Sequence, residues 1–218
     1  MKSKITSDIY THIRGFLPQV KAYELFNDLC DTIDWCHVGY KKPYGMIRTP
    51  RLTRCFGHHD WNNPELNGFD YKPEGWTDKL IELRAKIGEF YSHDWNFVLC
   101  NYYRDGNDSI TWHSDDERFL GPEPAIASVS LGDTRVFKLR NKKTREVIKT
   151  ELDNGDLFIM HGRCQHEWEH CIAKNRTHTD PRINLTFRKA VNQAGSENYY
   201  KYNVGFPHKH YYLSLIHI

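Results

Sequence analysis

The apolar positions follow a helical period early in the chain and break into short runs later. Val20, Tyr23, Phe26, Cys30 and Ile33 recur at helical spacing, which predicts an amphipathic helix opening near Pro18 with this stripe as its core face. Trp76, Leu80, Leu83, Ile87 and Phe90 form a second stripe and predict a helix over 76–91. Ahead of the first helix, residues 9–13 predict an edge strand. Downstream, short apolar runs at 97–103, 126–131, 135–139, 147–152, 157–160 and 182–187 each predict a strand, with turn signals at Gly132-Asp133 and Asn154-Gly155. Two helices ahead of many short strands predict a mainly β fold with flanking α: a jelly-roll-like double sheet with the helices packed outside. No repeat or low-complexity linker divides the chain, so residues 1–212 are expected to form a single domain.

The length of 218 residues suffices for a core without staples. Thirty Lys and Arg against 28 Asp and Glu leave a net charge of +2, so a nucleic-acid surface has to be a local patch rather than a global field. Cys30, Cys36, Cys55, Cys100, Cys164 and Cys171 contain no C-x-x-C pair, which argues against a zinc ribbon or disulfide framework and for a reducing compartment. With no membrane-length apolar run, the expectation is a soluble intracellular monomer. Residues 213–218 read as a translated sequencing adapter, so the native sequence is expected to stop or diverge near Tyr212.

Between residues 35 and 75 the chain is aromatic, Gly-rich and basic. Lys41, Lys42, Arg48, Arg51 and Arg54 interleave with Tyr40, Tyr44 and Phe56, which suits phosphates and stacked bases as well as a solvated loop region. His58, His59 and Asp60 are adjacent and point apart, which suits a loop better than a metal site. Residues 140–145 form a cationic hairpin tip, either solvated or in contact with the opposite strand of a duplex.

His113 and Asp115 lie one residue apart on an extended segment and project to the same side. A distant His170 completes a 2-His-1-carboxylate face, which leaves positions open on Fe(II) for a co-substrate and O2. In a chain with 13 His, an H-x-D tripeptide says little alone. The arginines add to it, because on an alternating strand Arg182, Asn184, Thr186 and Arg188 share one face. Two guanidiniums on an inner face demand an acid, and a dicarboxylate such as 2-oxoglutarate supplies one. A rival reading takes His166-Glu167-Trp168-Glu169-His170 as the H-E-x-x-H of a zinc metallopeptidase. That motif needs a sustained helix, and the strand at 157–160, Gly162 and a polar loop at 174–180 leave little room for one.

Together with Asn101-Tyr102-Tyr103-Arg104-Asp105-Gly106, Ser114-Asp115-Asp116-Glu117 and Thr49-Pro50-Arg51-Leu52-Thr53, these motifs resemble the AlkB family of Fe(II)- and 2-oxoglutarate-dependent dioxygenases, from about Gly15 to Arg188. The resemblance implies a double-stranded β-helix with Fe(II) on His113, Asp115 and His170. It implies 2-oxoglutarate with its distal carboxylate on Arg182, helped by Asn101, Tyr103, Asn184 and Thr186, while Arg188 completes the acid pocket. It also implies a nucleotide-recognition lid over residues 35–75. There Arg51 would face the nucleotide, Tyr71 or Phe69 would stack on a flipped base, and Glu117 would face the damaged base. The activity implied is oxidative demethylation of 1-methyladenine or 3-methylcytosine, in DNA rather than RNA, releasing succinate, CO2 and formaldehyde. The same chemistry on RNA, including N6-methyladenine, is one alternative. A non-catalytic nucleic-acid-binding module is another, against which the intact triad and both arginines argue.

Overall fold

The computed structural model describes residues 3–42, 45–57, 74–116, 120–178, 180–190, 204–206 and 210–212. The calls on Phe69, Tyr71, Glu117, the His58-His59-Asp60 stretch and residues 213–218 lie outside the described residues. Strands β1 (Lys4–Thr6) and β2 (Tyr10–Ile13) lead into α1 (Gln19–Thr32), which starts after Pro18. Next come β3 (Cys36–Lys42), β4 (Gly45–Gly57), β5 (Glu74–Gly75) and α2 (Asp78–Gly88). The Thr77 hydroxyl caps α2 by accepting from the Leu80 N–H at 3.3 Å. Strands β6 (Phe97–Tyr103), β7 (Ile110–His113), β8 (Ile126–Gly132), β9 (Arg135–Asn141), β10 (Val147–Leu152) and β11 (Leu157–Met160) precede a short helix, α3 (Gly162–Glu167). The described chain closes with β12 (Trp168–Ile172), β13 (Arg182–Arg188), β14 (Val204–Phe206) and β15 (His210–Tyr212).

These strands form two sheets among the described residues. The large one runs β1-β2-β11-β8-β13-β6-β4-β3-β15-β14 with β5 beside β4, and the small one runs β10-β9-β12-β7. On β13 the two faces have separate tasks. Ile183, Leu185 and Phe187 pack with Leu29 of α1 and with Leu80, Leu83 and Ile87 of α2. The opposite face of the large sheet places Phe97, Leu99, Tyr103 and Met160 against Phe137, Leu139, Trp168 and Ile172 of the small sheet. The layers are therefore helices, large sheet, small sheet, a double-stranded β-helix of jelly-roll type. Each fully buried aliphatic or aromatic side chain contributes about 1.5–3 kcal/mol to this arrangement.

Three expectations need correction. The strand at 9–13 is not an edge, because β1 pairs along its outer side with Thr6 opposite Thr11. On α1 the stripe holds only in part: Phe26, Cys30 and Ile33 pack into the core beside the buried Ala22 and Leu29, whereas Val20 is 68% and Tyr23 54% exposed. Val20 precedes Ala22 by two residues, about 200° around the helix, so both cannot face the sheet. Helix α2 ends at Gly88, which leaves Phe90 beyond it and 38% exposed.

Both turn glycines have the left-handed backbone that their positions require, with φ of +84° at Gly132 and +85° at Gly155. None of the six cysteines forms a disulfide, and no helix among the described residues is long and apolar enough to cross a membrane.

Candidate metal centre and acid pocket

Strand pairing brings His113 and His170 together, because they face each other directly across β7 and β12. Their ring centroids are 4.2 Å apart. Asp115 lies just past the end of β7, and its two carboxylate oxygens stand 3.9 Å from His113 Nε2 and from His170 Nε2. One donor atom from each residue falls within 4.8 Å of the others, and among the described residues this is the one such group of His, Cys, Asp or Glu.

The imidazoles are prepared as neutral donors. Burial, then repulsion from His170, lowers the His113 pKa to about 3, with Asp115 opposing the fall. Burial lowers His170 likewise. His113 Nδ1 lies 2.8 Å from the Thr111 carbonyl. A carbonyl only accepts, so the ring proton sits on Nδ1 and the Nε2 lone pair faces Asp115. Two imidazoles and a carboxylate on one face suit a divalent first-row metal and leave other coordination positions open.

The arginine strand crosses behind this triad. Arg188 Nη2 donates to Asp115 Oδ1 at 2.8 Å, with both side chains 4% exposed. Arg188 thus forms a charged hydrogen bond with the Asp115 carboxylate in a buried setting. At the other end of β13, Arg182 is 1% exposed and donates from Nη2 to Ser130 Oγ at 2.8 Å. Its Nε and Nη1 meet no acceptor in hydrogen-bond geometry among the described residues. Burial lowers its pKa to about 10, with Tyr103 and Asp133 opposing and Arg135 adding to the fall, so it remains a cation at neutral pH. A buried guanidinium with unspent donors fits a carboxylate ligand.

The other sequence-selected residues fall around these two anchors. Tyr103 lies directly opposite Arg182, and Asn101 opposite Asn184, in the β6–β13 ladder. The Tyr103 ring centre lies 5.3 Å from the Arg182 guanidinium and 5.7 Å from that of Arg135. Asn184 donates to Ser128 Oγ at 2.7 Å and Thr186 to the Leu99 carbonyl at 2.8 Å, so both bind neighbouring strands. Arg51 on β4 is buried, and its Nε donates to Asn101 Oδ1 at 2.7 Å. It therefore joins β4 to β6 by a side-chain hydrogen bond.

The peptidase motif comes apart. Helix α3 ends at Glu167, and His170 is on β12, so the two His cannot share a helical face. His166 is exposed whereas His170 is buried, and Glu167 pairs with Arg163 at 2.7 Å. Gly162 opens this short helix instead of interrupting one.

The sequence matches the family model of the 2OG-Fe(II) oxygenase superfamily over residues 10–188. The chain belongs to this superfamily. Its members use Fe(II), 2-oxoglutarate and O2. The chain is 37% identical to alpha-ketoglutarate-dependent dioxygenase alkB homolog 3 of Mus musculus, over 80% of this chain and 63% of that one. It is 38% identical to DNA oxidative demethylase ALKBH2 of Mus musculus, over 58% of this chain and 56% of that one. It thus spans less than two thirds of the length of these relatives. A solved structure titled "The structure of OsALKBH1" has the same fold, with a TM-score of 0.59 at 17% identity, over 85% of this chain and 100% of that one.

Proposed function

We propose that this oxygenase-family chain removes N-methyl groups from nucleic-acid bases by oxidation, with 1-methyladenine and 3-methylcytosine in DNA as substrates. The observation that carries the reading is the pairing of a His113–Asp115–His170 face with a buried, under-satisfied Arg182. His113, Asp115 and His170 hold Fe(II), and Arg182 binds the distal carboxylate of 2-oxoglutarate beside Tyr103. When bound, the metal and co-substrate supply O2 activation coupled to oxidative decarboxylation, which yields succinate and CO2. One oxygen atom enters the substrate N–CH3 group as N–CH2OH, and this breaks down to formaldehyde and the N–H base.

The chain's own contribution is placement. The Thr111 carbonyl sets the His113 tautomer, Arg188 pairs with the Asp115 carboxylate, and the sheet buries Arg182 to 1% exposure. A methyl on a pairing edge also weakens the base pair, which lowers the cost of extruding the nucleotide into the site. The names of the relatives, one of them a DNA oxidative demethylase, support nucleic acid as the target class. The test is succinate and formaldehyde release from purified protein with Fe(II), 2-oxoglutarate and methylated oligonucleotides, DNA and RNA, single- and double-stranded. Turnover on DNA that His113→Ala abolishes is the expected result. Succinate without formaldehyde overturns the substrate assignment, and neither product overturns the enzyme reading.

A further inference from the structure

Asp115 has a structural difficulty that its strand does not solve. Strand β7 ends at His113, and residues 114–116 lie outside any strand. Asp115 is nevertheless 3% exposed, so its backbone N–H needs an acceptor inside the protein. A side chain provides it: the N–H donates to Gln165 Oε1 at 2.9 Å.

Gln165 is held on every side. It is 1% exposed, and its Nε2 donates to Met160 Sδ at 3.4 Å. Its backbone carbonyl accepts from Lys142 Nζ at 2.9 Å. An N–H facing the amide leaves only one chemically sensible orientation, oxygen toward Asp115 and nitrogen toward sulfur. Ser114 Oγ ties the same loop to β12 by donating to the Trp168 carbonyl at 3.0 Å. Gln165 therefore links the end of β11, helix α3, the cationic hairpin and the metal loop at one point.

We propose that Gln165 is a positioning residue for the Asp115 ligand: it accepts the Asp115 backbone N–H beyond the end of β7 and sets the carboxylate where a metal held by His113 and His170 can take it. The inference rests on the metal-centre reading above. It concerns metal affinity rather than chemistry, because Gln165 reaches Asp115 through the backbone and touches no reacting group.

The test is titration of the metal-free full chain with Co(II) in place of Fe(II), read by calorimetry and by the visible absorption of the bound ion. Thermal unfolding of the metal-free proteins runs alongside. Gln165→Leu is expected to weaken Co(II) binding by about 10- to 100-fold, the usual effect of removing a group that orients a ligand. Gln165→Glu keeps an oxygen at the same reach and is expected to bind within about threefold of the unaltered protein, a rescue that a space-filling role does not predict. Should Gln165→Leu not fold, Gln165→Asn withdraws the acceptor by one methylene and is expected to show the same loss. Unchanged Co(II) affinity in the Leu or Asn variant, or equal losses in Glu and Leu, overturns the proposal. His113→Ala separates the two readings. If it binds Co(II) as tightly as the unaltered protein, the metal centre itself is wrong. If it loses the ion while Gln165→Leu keeps it, only the positioning role fails.

Discussion

Arg182 and Arg188 sit six residues apart on one face of one strand, and the structure gives them different work. Arg188 meets Asp115 at 2.8 Å, whereas Nε and Nη1 of Arg182 meet no acceptor in hydrogen-bond geometry among the described residues. Arg182→Lys keeps the charge but removes the planar fork. It is expected to weaken 2-oxoglutarate binding by about 10- to 100-fold, a loss of the size of one charged hydrogen bond. Anaerobic titration of the metal-loaded protein measures this. His113 makes a second prediction, on pH. Its native pKa of about 3 lies below the ordinary 6.5, so between these values the unfolded chain binds a proton that the native state refuses. Stability of the metal-free protein therefore falls as pH drops from about 6.5 toward 3, and is fully present above that window. His170, lowered in the same direction, adds to the fall. Thermal midpoints from pH 7 to pH 4 check this, and His113→Gln is expected to flatten the slope. That the two His and Asp115 belong together was legible from their spacing and chemistry. The Arg188–Asp115 pair was not, because nothing local links residues 73 positions apart.

Among the elements, strand limits were the most readable feature. The runs at 97–103, 147–152 and 157–160 are strands with those same ends, bounded by turn residues and rich in β-branched and aromatic side chains. Gly155 shows why such punctuation works. Its φ is +85°, and an added Cβ would lie 2.6 Å from the Leu17 carbonyl oxygen. Gly155→Ala is expected to destabilise the protein by about 1–3 kcal/mol, from left-handed backbone strain together with that clash. Urea unfolding at neutral pH measures it, and an unchanged midpoint would contradict the packing of α1 on this turn. Helix faces were harder to read. Val20 and Tyr23 extended the stripe on α1, yet both stay exposed while Phe26, Cys30 and Ile33 of the same stripe pack beside Ala22 and Leu29. Periodicity gives a helix its apolar stripe but not the width of the surface waiting for it. In the H-E-x-x-H stretch the pattern was present and the element was not, since α3 stops at Glu167 and β12 takes over.

On the scale of the molecule, the centre is divided between the two sheets. His113 and His170 belong to the small sheet, and Arg182, Arg188, Asn101 and Tyr103 to the large one. The metal site and acid pocket therefore meet only when the sheets pack, which couples ligand binding to global stability. Co(II) at a hundredfold excess over its Kd is expected to raise stability by about 2.7 kcal/mol. A chelator titration followed by thermal unfolding reads this as a lowered midpoint, and His113→Ala is expected to show no shift.

The sequence by itself determined the kind of chemistry and most of the strands. Ligand types, their spacing on an extended segment and the alternation along β13 are local properties, expressed wherever that backbone is extended. Tertiary structure decided the rest: which arginine pairs with Asp115, that Arg51 reaches Asn101, that Gln165 accepts an N–H beyond the end of a strand, and which residues of α1 pack into the core. Each depends on the distance between segments remote in sequence, and that distance is set only when the helices, the large sheet and the small sheet close around a common core.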